Sequence, residues 1–192
     1  MSKRALIMID MLYDFIDPRG SLYCGEWCTD IVGPARRVLE EFRAAGDSIV
    51  FLADAHDPDD PEFRLFGRHA VAGTPEARPI AELAPRADEP VVAKQHFNPF
   101  IDSVLDEVIA ALEPSEVHVA GVCTSICVME TAVELVDRGY KTVIRSDAVA
   151  DLSLEQHWCA IARMRDTFKI EIAGEDSADS YARKIGQSVH PA

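Results

Sequence analysis

Short, β-rich apolar runs alternating with longer amphipathic stretches narrow the fold of this chain more than any other feature. The runs Ala5–Ile9, Ser48–Ala53, Pro90–Ala93, Glu116–Ala120, Lys141–Arg145 and Lys169–Ile172 are each bounded by polar or turn residues and read as strands. Between them, Ile31–Ala45, Ser103–Leu112, Thr124–Arg138 and Ser153–Phe168 place apolar residues at helical spacing. Gly46, Pro114 and Gly139 follow the first three, where a helix end tolerates a left-handed residue or a missing N–H. Ser153 with Gln156 suits a capping box, and Ser177–Gly186 suits a last short helix. Parallel neighbours need a crossover of about a dozen residues, so the alternation predicts βαβ units. The expected fold is α/β, a three-layer, doubly wound, mostly parallel six-stranded sheet with helices on both faces.

No repeat, low-complexity tract or linker divides the 192 residues, and one domain over 1–192 is expected. Hydrophobic residues at 48% suffice for a core, so disorder is not expected. A net charge of -14, from 33 acids against 19 bases, argues against a phosphate-backbone partner, and nucleic acid is excluded. Ala5–Ile9 is too short for a signal-peptide core or a membrane span, which predicts a cytoplasmic protein with no membrane partner. Five cysteines, an odd number, suit a reducing compartment in which thiols stay free. The one long irregular stretch, Asp54 to Glu89, is rich in Pro, Asp and His, and loops of that length are usually functional.

Doubly wound sheets bind ligands outside the carboxyl ends of their strands. Asp10 follows the first predicted strand, Asp54 and His56 the second and Lys94 the third, while Gly121-Val122-Cys123-Thr124-Ser125-Ile126-Cys127 follows the fourth. Taken singly, each residue could be a solvated cap, and Cys127 could be buried helix core. Together, a carboxylate, an ammonium and a thiol at one sheet edge can perform covalent catalysis, because a thiol needs a base to become a nucleophile. In that reading Asp10 accepts the proton of Cys127. Lys94 keeps Asp10 ionised and favours the thiolate, as does the start of the following helix. Backbone N–H groups of Cys123 and Cys127 could hold an oxyanion. A different reading pairs Cys123 and Cys127 with Cys24 and Cys28 as a four-cysteine zinc site, since both pairs have zinc-like spacing.

Asp54 and His56, two apart at a strand end, point to the same side. His69 and Glu62 could join them if the loop folds back. Mixed imidazole and carboxylate ligation suits zinc, iron or manganese. The alternative is that these are surface residues of a polar loop.

Ile9-Asp10-Met11-Leu12-Tyr13-Asp14-Phe15, Asp54-Ala55-His56, His69-Ala70-Val71-Ala72-Gly73-Thr74, Lys94 and Gly121–Cys127 together resemble the nicotinamidase branch of the isochorismatase-like cysteine hydrolases. The motifs run in the family's order from residue 5 to about residue 150. The resemblance implies an isochorismatase-like fold and an amidohydrolase that converts nicotinamide to nicotinate and ammonia in NAD salvage. It implies a triad of Asp10, Lys94 and Cys127, and a divalent metal, zinc first with iron or manganese as alternatives, on Asp54, His56 and His69. Glu62 would be an extra ligand found in some members. Phe15 and Phe66 would flank the pyridine ring. A cis peptide just before Cys123 would turn its N–H into the oxyanion hole. A homo-oligomer and a small-molecule amide substrate are implied as well. The chain departs from many nicotinamidases at Ala53-Asp54-Ala55-His56, where they carry Arg-Asp-Trp-His, and at Phe66, which is often Trp.

Other readings fare worse on these residues. A phosphoacceptor receiver domain wants a second acid beside Asp10, where Ile9 and Met11 stand. A dinucleotide-binding turn wants glycines where Met11–Ile16 stand. An isochorismate-cleaving relative would lack the cysteine. A sister enzyme using the same triad on a ureide or N-carbamoyl compound stays open.

Overall fold

The computed structural model describes residues 3–188; residues 1–2 and 189–192, the ends of the proposed 1–192 domain, lie outside the described residues. Strands β1 (Arg4–Ile9), β2 (Ser48–Asp54), β3 (Val91–Lys94), β4 (Glu116–Val122), β5 (Thr142–Ala150) and β6 (Glu171–Ala173) form one sheet. Their order is β3-β2-β1-β4-β5-β6, with every neighbouring pair parallel. The expected sheet is therefore found, and it is parallel throughout.

Eight α-helices accompany it among the described residues: α1 (Tyr13–Ile16), α2 (Glu26–Asp30), α3 (Val32–Ala45), α4 (Phe63–Phe66), α5 (Leu105–Leu112), α6 (Met129–Asp137), α7 (Leu154–Asp166) and α8 (Ser177–Lys184). Successive strand side chains alternate between faces. Leu6 and Met8 of β1 share one core with Phe51, Ala120, Trp27, Leu39, Phe42 and Ala178, which seats α2, α3 and α8. Ile7 and Ile9 share the other with Val50, Val119, Leu105, Ile109, Leu135 and Ile161, which seats α5, α6 and α7. Each large apolar side chain so buried contributes roughly 1.5–3 kcal/mol, which is what holds the three layers together.

Several boundaries differ from expectation, for local reasons. β5 continues through the polar pair Ser146-Asp147 because the buried Ser146 hydroxyl donates to the carbonyls of Ala173 and Gly174 at 3.1 and 3.0 Å. The predicted helix Thr124–Arg138 opens as a π turn over Thr124–Val128, with Ile126 off the helical path at φ -118°, ψ -106°. The loop Asp54–Glu89 contains α4 and a short 3-10 turn at Ala81–Leu83. It is tied to the body by bridges between Leu12 and Pro79 and between His56 and Val71. The Ser153 hydroxyl caps α7 by accepting from Gln156 N at 3.2 Å. No helix among the described residues is long and apolar enough to cross a membrane.

From β1 the chain builds outwards through β2 and β3 on one side, then returns to build β4, β5 and β6 on the other. The direction reverses between β1 and β4, which is where an open parallel sheet leaves a crevice at its carboxyl edge.

Candidate active site

Asp10, Asp54, Lys94 and Cys127 meet in that crevice, all buried. Register explains part of this, since Asp54 and Lys94 end β2 and β3 as direct partners. Asp10 follows β1 at φ 51°, a left-handed turn that aspartate tolerates better than most residues. Its Oδ1 accepts from Asp54 N at 3.0 Å. The Lys94 ammonium has no solvent exposure; Nζ lies 2.9 Å from Asp10 Oδ2, donates to Asp54 Oδ1, and reaches Cys127 Sγ at 3.4 Å. Asp10 Oδ2 is thus held in an ion pair with the Lys94 ammonium. The carboxylate oxygens of Asp10 and Asp54 and the Cys127 sulfur lie within 4.8 Å of one another.

On the β4 side the approach depends on Gly121, at φ +122°, where a Cβ would stand 2.0 Å from the carbonyl oxygen of Ile9. Only glycine lets the two central strands come this close just before they deliver Asp10 and Cys123. The expected cis peptide joins Val122 to Cys123. The π turn then swings Cys127 back over Lys94.

Burial pushes the Asp10 carboxyl up to about 7, with Asp54 adding to the rise and Lys94 opposing it. Asp10 is thus a base matched to neutral pH. Burial also pushes the Cys127 thiol well above its ordinary value; Lys94 opposes this, but Asp10 and Asp54 reinforce it. The thiolate expected from Lys94 and the helix start is therefore not the resting form, because desolvation outweighs both. Burial works against the Lys94 ammonium too, yet Asp10 and Asp54 overcome it and keep the group charged.

Beside this cluster, ligating atoms of Asp54, His56 and His69 lie within 4.8 Å of one another. The loop does fold back: His56 N donates to Ala70 O and Ala72 N to His56 O, both at 2.9 Å, a strand-like pairing that brings His69 alongside. His56 Nδ1 lies 3.0 Å from Asp60 Oδ2 and His69 Nδ1 lies 2.8 Å from Gly67 O. Both partners are acceptors, so both Nδ1 atoms carry the proton and both Nε2 atoms are left for another partner. His56 Nε2 is buried with no hydrogen-bond partner, 3.7 Å from Asp54 Oδ2 and 3.9 Å from Glu62 Oε1. Glu62 Oε1 is also 3.8 Å from His69 Nε2. Ligands about 2.0–2.2 Å from one ion stand roughly 3–4 Å apart, so the four donors fit a divalent cation of the zinc or iron type. Burial pulls His56 down, but Asp54 and Asp60 outweigh it, so these acidic surroundings attract positive charge.

Phe15, Phe66, Phe97, Leu22 and Ile126 wall a cleft whose floor is Asp10, Asp54, Cys123 and Cys127 and whose side is Glu62 and His69. The four-cysteine reading does not hold. No three cysteine sulfurs among the described residues gather within 4.8 Å, and Cys127 stands instead with Asp10 and Asp54.

A model of the isochorismatase domain matches residues 4–176. The chain belongs to the isochorismatase family. Among relatives, the isochorismatase family protein PncA of Bacillus subtilis is 34% identical over 89% of this chain and 99% of its own length. The B. subtilis nicotinamidase/pyrazinamidase PncA structure superposes with a TM-score of 0.84 at 32% identity, over 90% of this chain and 100% of that one. The N-carbamoylsarcosine amidase of Thermoplasma acidophilum superposes at 0.81 and 32%, over 91% and 96%. A Pyrococcus horikoshii pyrazinamidase in complex with zinc superposes at 0.84 and 26%, over 90% and 99%.

Within this isochorismatase-family frame, several supporting residues escape a reading of the sequence. Buried Asp14 accepts from Ala70 N at 2.7 Å and from Ser21 N at 2.8 Å, bolting the His69 loop to the body. Behind the turn that carries Cys127, His157 Nδ1 lies 2.9 Å from the Thr124 hydroxyl and Nε2 lies 3.0 Å from Asp176 Oδ1. Asp151 accepts from Ser125 N at 2.5 Å. Phe97 stands edge-on to Phe66, with centroids 6.0 Å apart. The spacing of Asp10 and Asp14 on one short turn was the single legible hint among them.

Proposed function

We propose that this isochorismatase-family amidohydrolase is a nicotinamidase, releasing ammonia from nicotinamide through a thioacyl enzyme. The observation that carries this reading is that Asp10, Cys127, Asp54, Glu62 and His69 line one aromatic-walled cleft, with His56 and Lys94 buried against them to complete a cation-type set and a Cys–Lys–Asp cluster. Asp54, His56, His69 and Glu62 would hold a divalent metal, zinc by preference, which would supply a Lewis-acidic contact for the ring nitrogen and so help orient the carboxamide towards Cys127.

Phe15 and Phe66 flank the ring. Asp10 takes the Cys127 proton as sulfur attacks the carboxamide carbon. Lys94 keeps the carboxylates in place and stabilises the forming thiolate. The backbone N–H groups of Cys123 and Cys127 hold the oxyanion, a contribution of roughly 3–4 kcal/mol where a single donor has been removed from such a site. Asp10 returns its proton to the departing ammonia, then takes one from the water that releases nicotinate. The reading carries with it NAD salvage in the cytoplasm and a homo-oligomeric assembly.

A second reading keeps the triad and changes the substrate to an N-carbamoyl compound or another small amide. The similarity to the Thermoplasma amidase, equal in identity to that with B. subtilis PncA, favours keeping it in view. Ammonia release from nicotinamide, N-carbamoylsarcosine and maleamate, with and without prior chelation, separates the two. Metal-dependent turnover of nicotinamide is expected, and turnover of only a ureide or aliphatic amide would refute the nicotinamidase reading.

A further inference from the structure

The side chains of four of the five cysteines take no part in the chemistry above, and two of these four place sulfur against sulfur in the cleft. Cys24 Sγ and Cys123 Sγ are 3.8 Å apart, although 99 residues separate them in sequence. Both line the cleft, so a small solute that reaches the floor reaches both. Cys24 otherwise donates to Leu22 O at 3.4 Å, and Cys28 behind it donates to Asp151 O at 3.7 Å. We propose that Cys24 and Cys123 form an oxidisable dithiol site, which a small hydroperoxide converts to a disulfide inside the substrate cleft and a thiol reductant restores.

The chemistry balances. The Cys24 thiolate attacks the distal peroxide oxygen, forming the sulfenic acid and expelling hydroxide or alkoxide, which takes up a proton. Cys123 sulfur then attacks Cys24 sulfur, the S–O bond breaks, and hydroxide leaves as water. Two thiols and one hydroperoxide become one disulfide, one water and one water or alcohol. Cys24 lines the cleft, where a small hydroperoxide meets it for the first step. The partner is in place for the second, because closing 3.8 Å to a bond of about 2.05 Å needs side-chain rotation and a small approach of the two walls.

The site joins two parts of the cleft. Cys24 N donates to Phe15 O at 2.9 Å, so the Cys24 segment is tied to one aromatic wall. Cys123 begins the turn that carries Cys127. A cross-link draws that wall towards the nucleophile turn, and a misplacement of about 1 Å in such a site can cost on the order of a hundredfold in rate. This consequence for turnover rests on the roles proposed above; the cross-link itself does not.

The test treats the full-length protein with hydrogen peroxide, alkylates with iodoacetamide and maps peptides without reduction. The same is done in Cys127→Ala protein, where the nucleophile cannot compete. A Cys24–Cys123 linked peptide is expected in both. In the parent, amide hydrolysis should fall on the order of a hundredfold and recover with dithiothreitol, with Cys127 still alkylated as a free thiol. The dithiothreitol-restored fraction should vanish in Cys24→Ser and in Cys24→Ala. Alkylation of Cys24 and Cys123 as free thiols once the exposed Cys159 is oxidised would overturn the site, as would a Cys24–Cys28 pair. A cross-link that leaves turnover unchanged would overturn its control of the cleft. If no amide tested is turned over, the peptide map still decides the dithiol while the substrate reading alone fails.

Discussion

Replacing Lys94 by methionine keeps the side-chain length and removes one charge from a place with no solvent. In the parent, that ammonium is 2.9 Å from Asp10, bonded to Asp54 and 3.4 Å from Cys127. Both carboxylates are nearly inaccessible, at 1% and 6% exposure, so neither can recover hydration when the cation goes. Removing one partner of a buried ion pair typically costs about 3–5 kcal/mol. Here two carboxylates lose the same partner, and their oxygens lie within 4.8 Å of each other. At an effective dielectric constant near 20 their repulsion adds about 3 kcal/mol unless one takes up a proton. The expected loss is therefore at the upper end of the single-pair range. For a domain of this size, about 2–4 °C of melting temperature accompanies each kcal/mol, giving a fall of roughly 10–20 °C.

The assay is thermal and urea unfolding of Lys94→Met, Asp10→Asn and the double variant, in chelator so that no cation compensates Asp54. The Asp10→Asn change keeps the Oδ1 acceptor for Asp54 N and loses the charge. The double variant should recover about half of what Lys94→Met loses, a coupling of about 2 kcal/mol or more. A Lys94→Met protein within about 1 kcal/mol of the parent would refute the idea that the ammonium compensates the two carboxylates. So would a double variant no more stable than the single one.

Four further outcomes are expected. Cys127→Ala should abolish amide hydrolysis and leave metal content unchanged by elemental analysis, whereas substantial residual turnover would rule out the covalent route. His56→Ala with His69→Ala should lose the metal and raise KM steeply; a metal-free variant with unchanged KM would remove the ion from substrate binding. Gly121→Ala puts a side chain at φ +122° and a Cβ 2.0 Å from Ile9 O, so it should cost at least about 1–3 kcal/mol in urea unfolding and lower kcat as β1 and β4 separate. His118 is the acid-labile group of the sheet. Burial holds its imidazole below the ordinary value, Arg145 and Arg4 add to this, and Glu116, bonded at 2.6 Å, opposes it. A depressed base stabilises the fold above its unfolded pKa of about 6.5 and loses that contribution as pH falls through the folded value. His118→Gln should therefore flatten the stability profile between about pH 7.5 and about pH 5 by up to about 1.4 kcal/mol per pH unit, and equal slopes would refute the assignment.

The residues that were legible in the sequence share a physical origin. A parallel sheet collects whatever follows each strand at one edge, so Asp10, Asp54 and Lys94 could be placed together by counting apolar runs. His69 and Glu62 needed more, since only backbone pairing of Ala70 and Ala72 with His56 brings the loop back, and no periodicity records it. Ser146 shows the reverse failure: a polar residue reads as a strand end until its hydroxyl finds the carbonyls of the neighbouring turn. Phe97, the anchoring of Ala70 by Asp14 and the contact of Cys24 with Cys123 were hidden for the same reason as His69, because each joins partners dozens of residues apart. The thiol of Cys127 was misjudged on a different account. Its charged neighbours and helix position could be listed from sequence, but its burial could not, and burial decides the sign. In the proposed reaction, a Cys127 thiol kept protonated by desolvation would need Asp10 as its base, and the same desolvation lifts Asp10 to about 7, where it could hold the proton and later return it.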